Sequence, residues 1–174
     1  MTRRKMTPEK SIKNISRSFS TGSLGVIMFE EQIARTQRCY YRWKCIDEGR
    51  VHDMESENYR DEMVAFFQNC YHIKDWLINA SSGQFPKEKV EAFIDENPEL
   101  QLCADLCNAS KHFKLDRPRS TQEPKTGPQK IHLLLGSSQP QISVRYTIET
   151  ISGPKDAFML AGKCLELWRS FISA

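Results

Sequence analysis

No window of this 174-residue chain approaches 18 consecutive apolar residues, so no segment is expected to cross a bilayer as a helix. None of the six cysteines forms a Cys-x-x-Cys pair, which removes zinc-ribbon and thioredoxin-type motifs. The eight glycines are scattered, so there is no Gly-rich phosphate loop. Gly-x-Ser-x-Gly is absent, and with it the nucleophile elbow of α/β-hydrolases. No internal repeat is visible. The basic N-terminus is not followed by the apolar stretch of a secretory signal. With reduced thiols, that places the expectation in the cytoplasm, away from membranes.

What is present is ordinary for one globular domain: 39% hydrophobic and 27% charged residues. The net charge of +3 is unevenly spread. Residues 1–24 carry six basic side chains and one acid, a net of +5. Residues 114–130 carry five basic side chains and two acids, a net of +3, and subtracting both segments leaves −5 for the rest. A mildly acidic body thus bears two basic appendages, a tail over 1–24 and a loop over 114–130. Basic segments of this kind attract nucleic-acid phosphates or anionic lipid through counterion release, and can also serve as docking segments for a protein partner.

Apolar periodicity predicts helices over 25–48, 54–79, 87–95 and 97–113, with Gly49 stopping the first. Asn97 and Pro98 read as N-cap and first helical residue of the fourth. Three prolines and a glycine make 115–129 a loop. Residues 131–135 and 141–150 then read as a hairpin, the second strand alternating Ile142, Val144, Tyr146 and Ile148 with polar residues. A last helix is expected from Pro154 to about Ile172. The fold class is therefore mainly α: an antiparallel bundle of four to five helices, with a β-hairpin over 131–150 before the C-terminal helix. The whole of 25–174 forms one domain.

Two helices carry polar strips opposite their apolar faces. Asp61, Gln68, His72, Asp75 and Asn79 form one, and Gln101, Asp105, Asn108 and His112 the other. Short Asp, Asn and His side chains are poor helix formers and suit fixed hydrogen bonding or catalysis better than a solvated face. His72, Asp75 and His112 offer ligands for a mononuclear metal site, although the bridging glutamates of di-iron bundles are missing. Phosphodiester chemistry is the other reading. His112 moves the proton, Asn108 binds an oxygen, His72 and Asp75 surround it, and Lys114, Arg117 and Arg119 meet the phosphate backbone.

The run Cys107-Asn108-Ala109-Ser110-Lys111-His112 resembles the motif of HEPN-domain proteins, in which Arg, often Asn, and then His lie on a late helix. Asn108 and His112 match, and Cys107 stands where the family has Arg. The resemblance covers about 25–113. It implies a helical bundle that binds RNA, a metal-independent endoribonuclease activity without cofactor, a bacterial defence or toxin-like setting, and a homodimer. The Cys107 departure removes the cation that stabilises the phosphorane in that family. A non-catalytic protein-interaction module therefore stands beside the RNA reading. Cys70–Trp76, Asn108–His112 and the Asp156–Trp168 helix also resemble a group of small bacterial proteins, which implies that the two strips belong together.

Overall fold

The structure, a computed structural model, describes residues 29–53, 55–111, 117–136 and 139–174. The tail over 1–24 lies outside the described residues. Five helices and four strands follow in the order α1 Phe29–Glu48, β1 Arg50–Val51, α2 Ser56–Ala80, α3 Lys87–Glu96, α4 Pro98–Ala109, β2 Lys125–Leu134, β3 Gln141–Glu149, β4 Lys155–Asp156 and α5 Ala157–Ser173. The mainly helical bundle with an antiparallel β2–β3 hairpin before the last helix is as the sequence predicts. No helix among the described residues is long and apolar enough to cross a membrane.

Each helix buries one stripe. On α1 it runs through Phe29, Gln32, Thr36, Cys39, Trp43 and Ile46, at spacings of three and four. Gly49, at φ +112°, ends the helix by donating its N–H to the Cys45 carbonyl, a conformation that costs a side-chain-bearing residue more than glycine. Helix α2 buries Tyr59, Met63, Phe66, Cys70, Ile73 and Leu77. It packs against α1, α3, α4 and α5, so the core forms around it. Trp43 and Trp168 are core residues, as expected from their stripes.

Strand β3 is central. It pairs with β2 along its length on one side, and with short β1 and β4 at its two ends on the other. Its residues Ile142, Val144, Tyr146 and Ile148 are buried, and the strand packs on α1 and α5. The alternation read from the sequence thus marks the face on the helices.

Three local expectations are corrected. Asn97 occupies the cap position, but its side-chain amide donates to the Phe93 carbonyl of α3 instead of capping α4. Helix α4 ends at Ala109, not near Phe113, because Ser110 turns back onto it: its N–H reaches Leu106 and its hydroxyl the Cys107 carbonyl at 2.6 Å. Asp156, not Pro154, starts α5, accepting a hydrogen bond from Met159 N at 2.8 Å.

The basic loop expected over 114–130 is also shorter, since β2 begins at Lys125. Pro128 lies within the strand, where the register slips between Thr126 and Gln129. A proline that donates nothing is tolerated at such a bulge on a sheet edge.

The path from α4 to β2 is set by Asp105. It is fully buried on α4, and its carboxylate accepts from Arg119 N at 2.6 Å, Ser120 N at 2.8 Å and Ser120 Oγ at 2.6 Å. A buried carboxylate is tolerated only when hydrogen-bonded in this way. Asp105→Ala leaves those donors without an acceptor, each worth about 1–3 kcal/mol when buried and unmet. Its unfolding free energy from urea titration is expected to fall by roughly 3 kcal/mol, with Asp105→Asn in between. An unchanged urea midpoint for Asp105→Ala would refute the clamp.

Candidate functional site

The polar strips meet where the end of α4 crosses the middle of α2. Gln68 Nε2 donates to Ser110 Oγ at 2.8 Å, and Lys111 Nζ lies 2.8 Å from His72 Nε2. An ammonium has only donors, so Nε2 accepts and the His72 proton sits on Nδ1. Burial holds the His72 pKa below its ordinary value, and the positive charge of Lys111 adds to this, against a smaller opposing pull from Asp75. His72 is therefore neutral at neutral pH, with a cation on its lone pair.

From Asp75 the polar contacts lead away from His72. Lys74 Nζ is 3.1 Å from Asp75 and 3.3 Å from Glu91 on α3. Glu91 lies 2.7 Å from Arg119, whose Nε is 2.8 Å from Asp95. Burial pushes Glu91 up, but Arg119 and Lys74 outweigh it and hold its carboxyl below the usual range. The Arg119 guanidinium is pushed above its ordinary value by Asp95 and Glu91, against its own burial. This chain of alternating charges ties α2, α3 and the segment after Arg117 together.

The sequence-predicted residues thus part company. His72 meets Lys111, and Asp75 meets Lys74. Asn108 is half-buried in the last turn of α4, and Arg117 is exposed. Arg119 is spent on two carboxylates, so it is not a free cation for a phosphate backbone. Asp105 is a structural acceptor. His112 and Lys114 lie outside the described residues. Lys111 rests on the lone pair that an ion at His72 would use.

Two features are invisible to a motif search. The first is Lys111. It lies two residues beyond the end of α4 and reaches His72, and only the packing of α2 on α4 reveals the partner. The second is a group of three buried sulfurs, those of Cys70, Cys103 and Cys164, from α2, α4 and α5. Their stripes place each in the core without saying that they meet. Cys103 and Cys164 each have one proton and two acceptors in reach: a carbonyl, Phe67 or Glu99, or the Cys70 sulfur. Burial raises the Cys70 thiol, while the neighbouring Cys103 and Cys164 thiols and the Trp168 indole lower it.

A third feature is the edge of the sheet. Among the described residues no strand pairs with the outer side of β2. Ile131, Leu133, Leu134 and Leu135 are 49%, 49%, 68% and 77% exposed. Ile131 and Leu133 lie opposite Val144 and Ile142, so they share the core-facing side of the sheet. There they line an open groove of about 860 Å³ with His52, Glu55 and Ile142. Comparison with family models, with curated proteins and with solved structures finds no match to this chain.

The His72–Lys111 contact predicts a titration. By NMR, His72 is expected to titrate below the ordinary 6.5, and Lys111→Gln to move it upward. Because the folded-state pKa is depressed, protons favour the unfolded chain. The contribution of His72 to stability is therefore present above the ordinary histidine pKa and declines as pH falls from there toward the folded value. An unmoved His72 titration in Lys111→Gln would show that the ammonium does not rest on the imidazole.

Proposed function

We propose that the chain is a non-catalytic interaction module that pairs with a second copy of itself along the free edge of β2. The observation that carries this reading is the exposed apolar run from Ile131 to Leu135 on an edge strand. Soluble proteins normally blunt such edges, since unpaired N–H and C=O groups beside apolar side chains invite another strand.

The register argues for self-pairing. His52 N donates to the Pro140 carbonyl, so Pro140 and, two residues on, Ile142 bond toward β1. Gln141 and Ser143 then bond toward β2, through Leu134 and His132. That turns the N–H and C=O groups of Ile131 and Leu133 outward. An antiparallel pairing of two copies centred on His132 sets Ile131 opposite the partner's Leu133, twice by symmetry. Both outward residues then bond, and both apolar side chains extend the sheet's inner face across the junction. Completing the burial of each half-exposed side chain is worth roughly 1 kcal/mol, and a two-fold interface gains it four times.

Sedimentation equilibrium is expected to give twice the 20.2 kDa chain mass for the wild type. Leu133→Lys and Ile131→Pro are expected to be monomeric with unchanged circular dichroism, the proline because it removes an outward N–H and no bond to β3. A folded wild type at 20.2 kDa over the whole concentration range would overturn the proposal.

One observation favours a second reading, an RNA-binding HEPN-like protein. Lys111 supplies, next to neutral His72, the cation missing at Cys107. A phosphate drawing Lys111 off the imidazole would leave His72 as a base. RNA cleavage that survives chelator and is lost in His72→Ala and His112→Ala supports it, and no RNA binding by the wild type removes it.

A further inference from the structure

Beyond this interaction role, we infer that Cys70, Cys103 and Cys164 form a three-sulfur site for a soft monovalent d10 metal ion, for which Cu(I) is the fitting chemical class. The three sulfurs come from three different helices and lie within 4.8 Å of one another, and all three side chains are fully buried. Three points within 4.8 Å of one another share a centre no more than about 2.8 Å from each, against about 2.3 Å for a metal–thiolate bond. An ion at that centre therefore needs each sulfur to close in by about 0.5 Å at most, within the reach of a χ1 adjustment and with no movement of a helix.

Three features argue for sulfur ligation over mere core filling. The group is purely sulfur, so it selects soft ions and rejects the hard ones that carboxylates attract. No histidine, aspartate or glutamate among the described residues joins it. The Trp168 indole N–H is buried without a hydrogen-bond partner and is turned toward Cys70. A neutral thiol is a weak acceptor for it, whereas a metal-bound thiolate is a charged one. Finally, three donors define a trigonal site. Zinc in a structural site takes four ligands. A further cysteine, Cys107, is one turn along α4 from Cys103 and stands outside the group.

Binding replaces up to three S–H bonds by three S–metal bonds and releases up to three protons to solvent. The buried site opens only with the α2–α4–α5 core, so the ion enters as the chain folds or as α5 opens. Once bound it ties those three helices together and adds its binding free energy to the stability of the fold.

The test is an anaerobic refolding of the reduced full-length chain with Cu(I) presented by a chromogenic chelator. The expected result is one Cu(I) per chain taken from the chelator, with a raised thermal midpoint and three sulfur neighbours at one distance by X-ray absorption. Cys164→Ala and Cys70→Ala are expected to lose at least tenfold in affinity. Cys45→Ser and Cys107→Ser are expected to bind as the wild type does. The X-ray absorption measurement on wild type and on these last two proteins needs no substitution in the group, so the inference stays testable if the core variants fail to fold. Refolded wild type that leaves all Cu(I) on the chelator overturns it. So does a two-sulfur ion, undiminished binding in folded Cys164→Ala, or a preference for Zn(II) that depends on Cys107.

Discussion

A single buried carboxylate decides where half of the molecule lies. Asp105 sits inside α4 with no exposure, and water cannot solvate it there. It must be met by donors, and the donors come from the chain that leaves α4: two successive backbone N–H groups and a serine hydroxyl. Holding Arg119 N in that place puts the Arg119 side chain between Glu91 and Asp95. Three residues on, Gln122 receives the N–H groups of Ile151 and Ser152, which locks the segment to the turn after β3. Buried Pro124 then feeds β2 onto the outside of β3. The exposed edge of the sheet is thus a downstream consequence of one acid on a helix.

That edge shows how far the helical layer reaches. On β3 the inward side chains are covered by α1 and α5. On β2 the residues that face the same way are half exposed, because the sheet is one strand wider than the helices beneath it. Such a margin is a liability unless it is covered or blunted. The strand does carry partial defences: Pro128 and the register slip spoil its first half, and Lys130 stands just before the apolar run. The remaining half, from Ile131 to Leu135, has none except His132. A strand defended only where it is not apolar is the pattern expected when the apolar half has a partner.

Much of this fold is legible in the sequence because one-dimensional patterns report faces. The helical period that gives α2, the stop at Gly49 and the alternation from Ile142 to Ile148 each survive intact. What a pattern does not report is the neighbour. Gln32 and Thr36 lie on the buried stripe of α1 although they are polar, because Gln32 donates to the Asn69 carbonyl across the helix pair at 2.8 Å and Thr36 donates to the Gln32 carbonyl. Asn97 has the right identity for a cap, yet the closeness of α3 gives its amide a better acceptor. Asp105 and Asp75 look alike on a helical wheel. One is a buried structural acceptor and the other an exposed ion-pair partner, and only the course of the following chain separates them.

The same limit explains why the sulfur group is hidden from the sequence. A strip of polar residues suggests a site because such residues seldom share a face without cause. Here four of them have four different partners: Gln68 has Ser110, His72 has Lys111, Asp75 has Lys74 and Asp105 has Ser120. Cysteines carry the opposite bias. A buried thiol behaves as a small hydrophobe, so three of them on three apolar stripes raise no suspicion singly. Any one of the three would fit the core equally well as alanine or valine, give or take a methyl group. Convergence to within about 2.8 Å of a common centre, beside a buried indole N–H without a hydrogen-bond partner, is what separates a ligand set from three independent core residues. That distinction exists only in three dimensions, because α2, α4 and α5 are brought together by packing that no local sequence window contains.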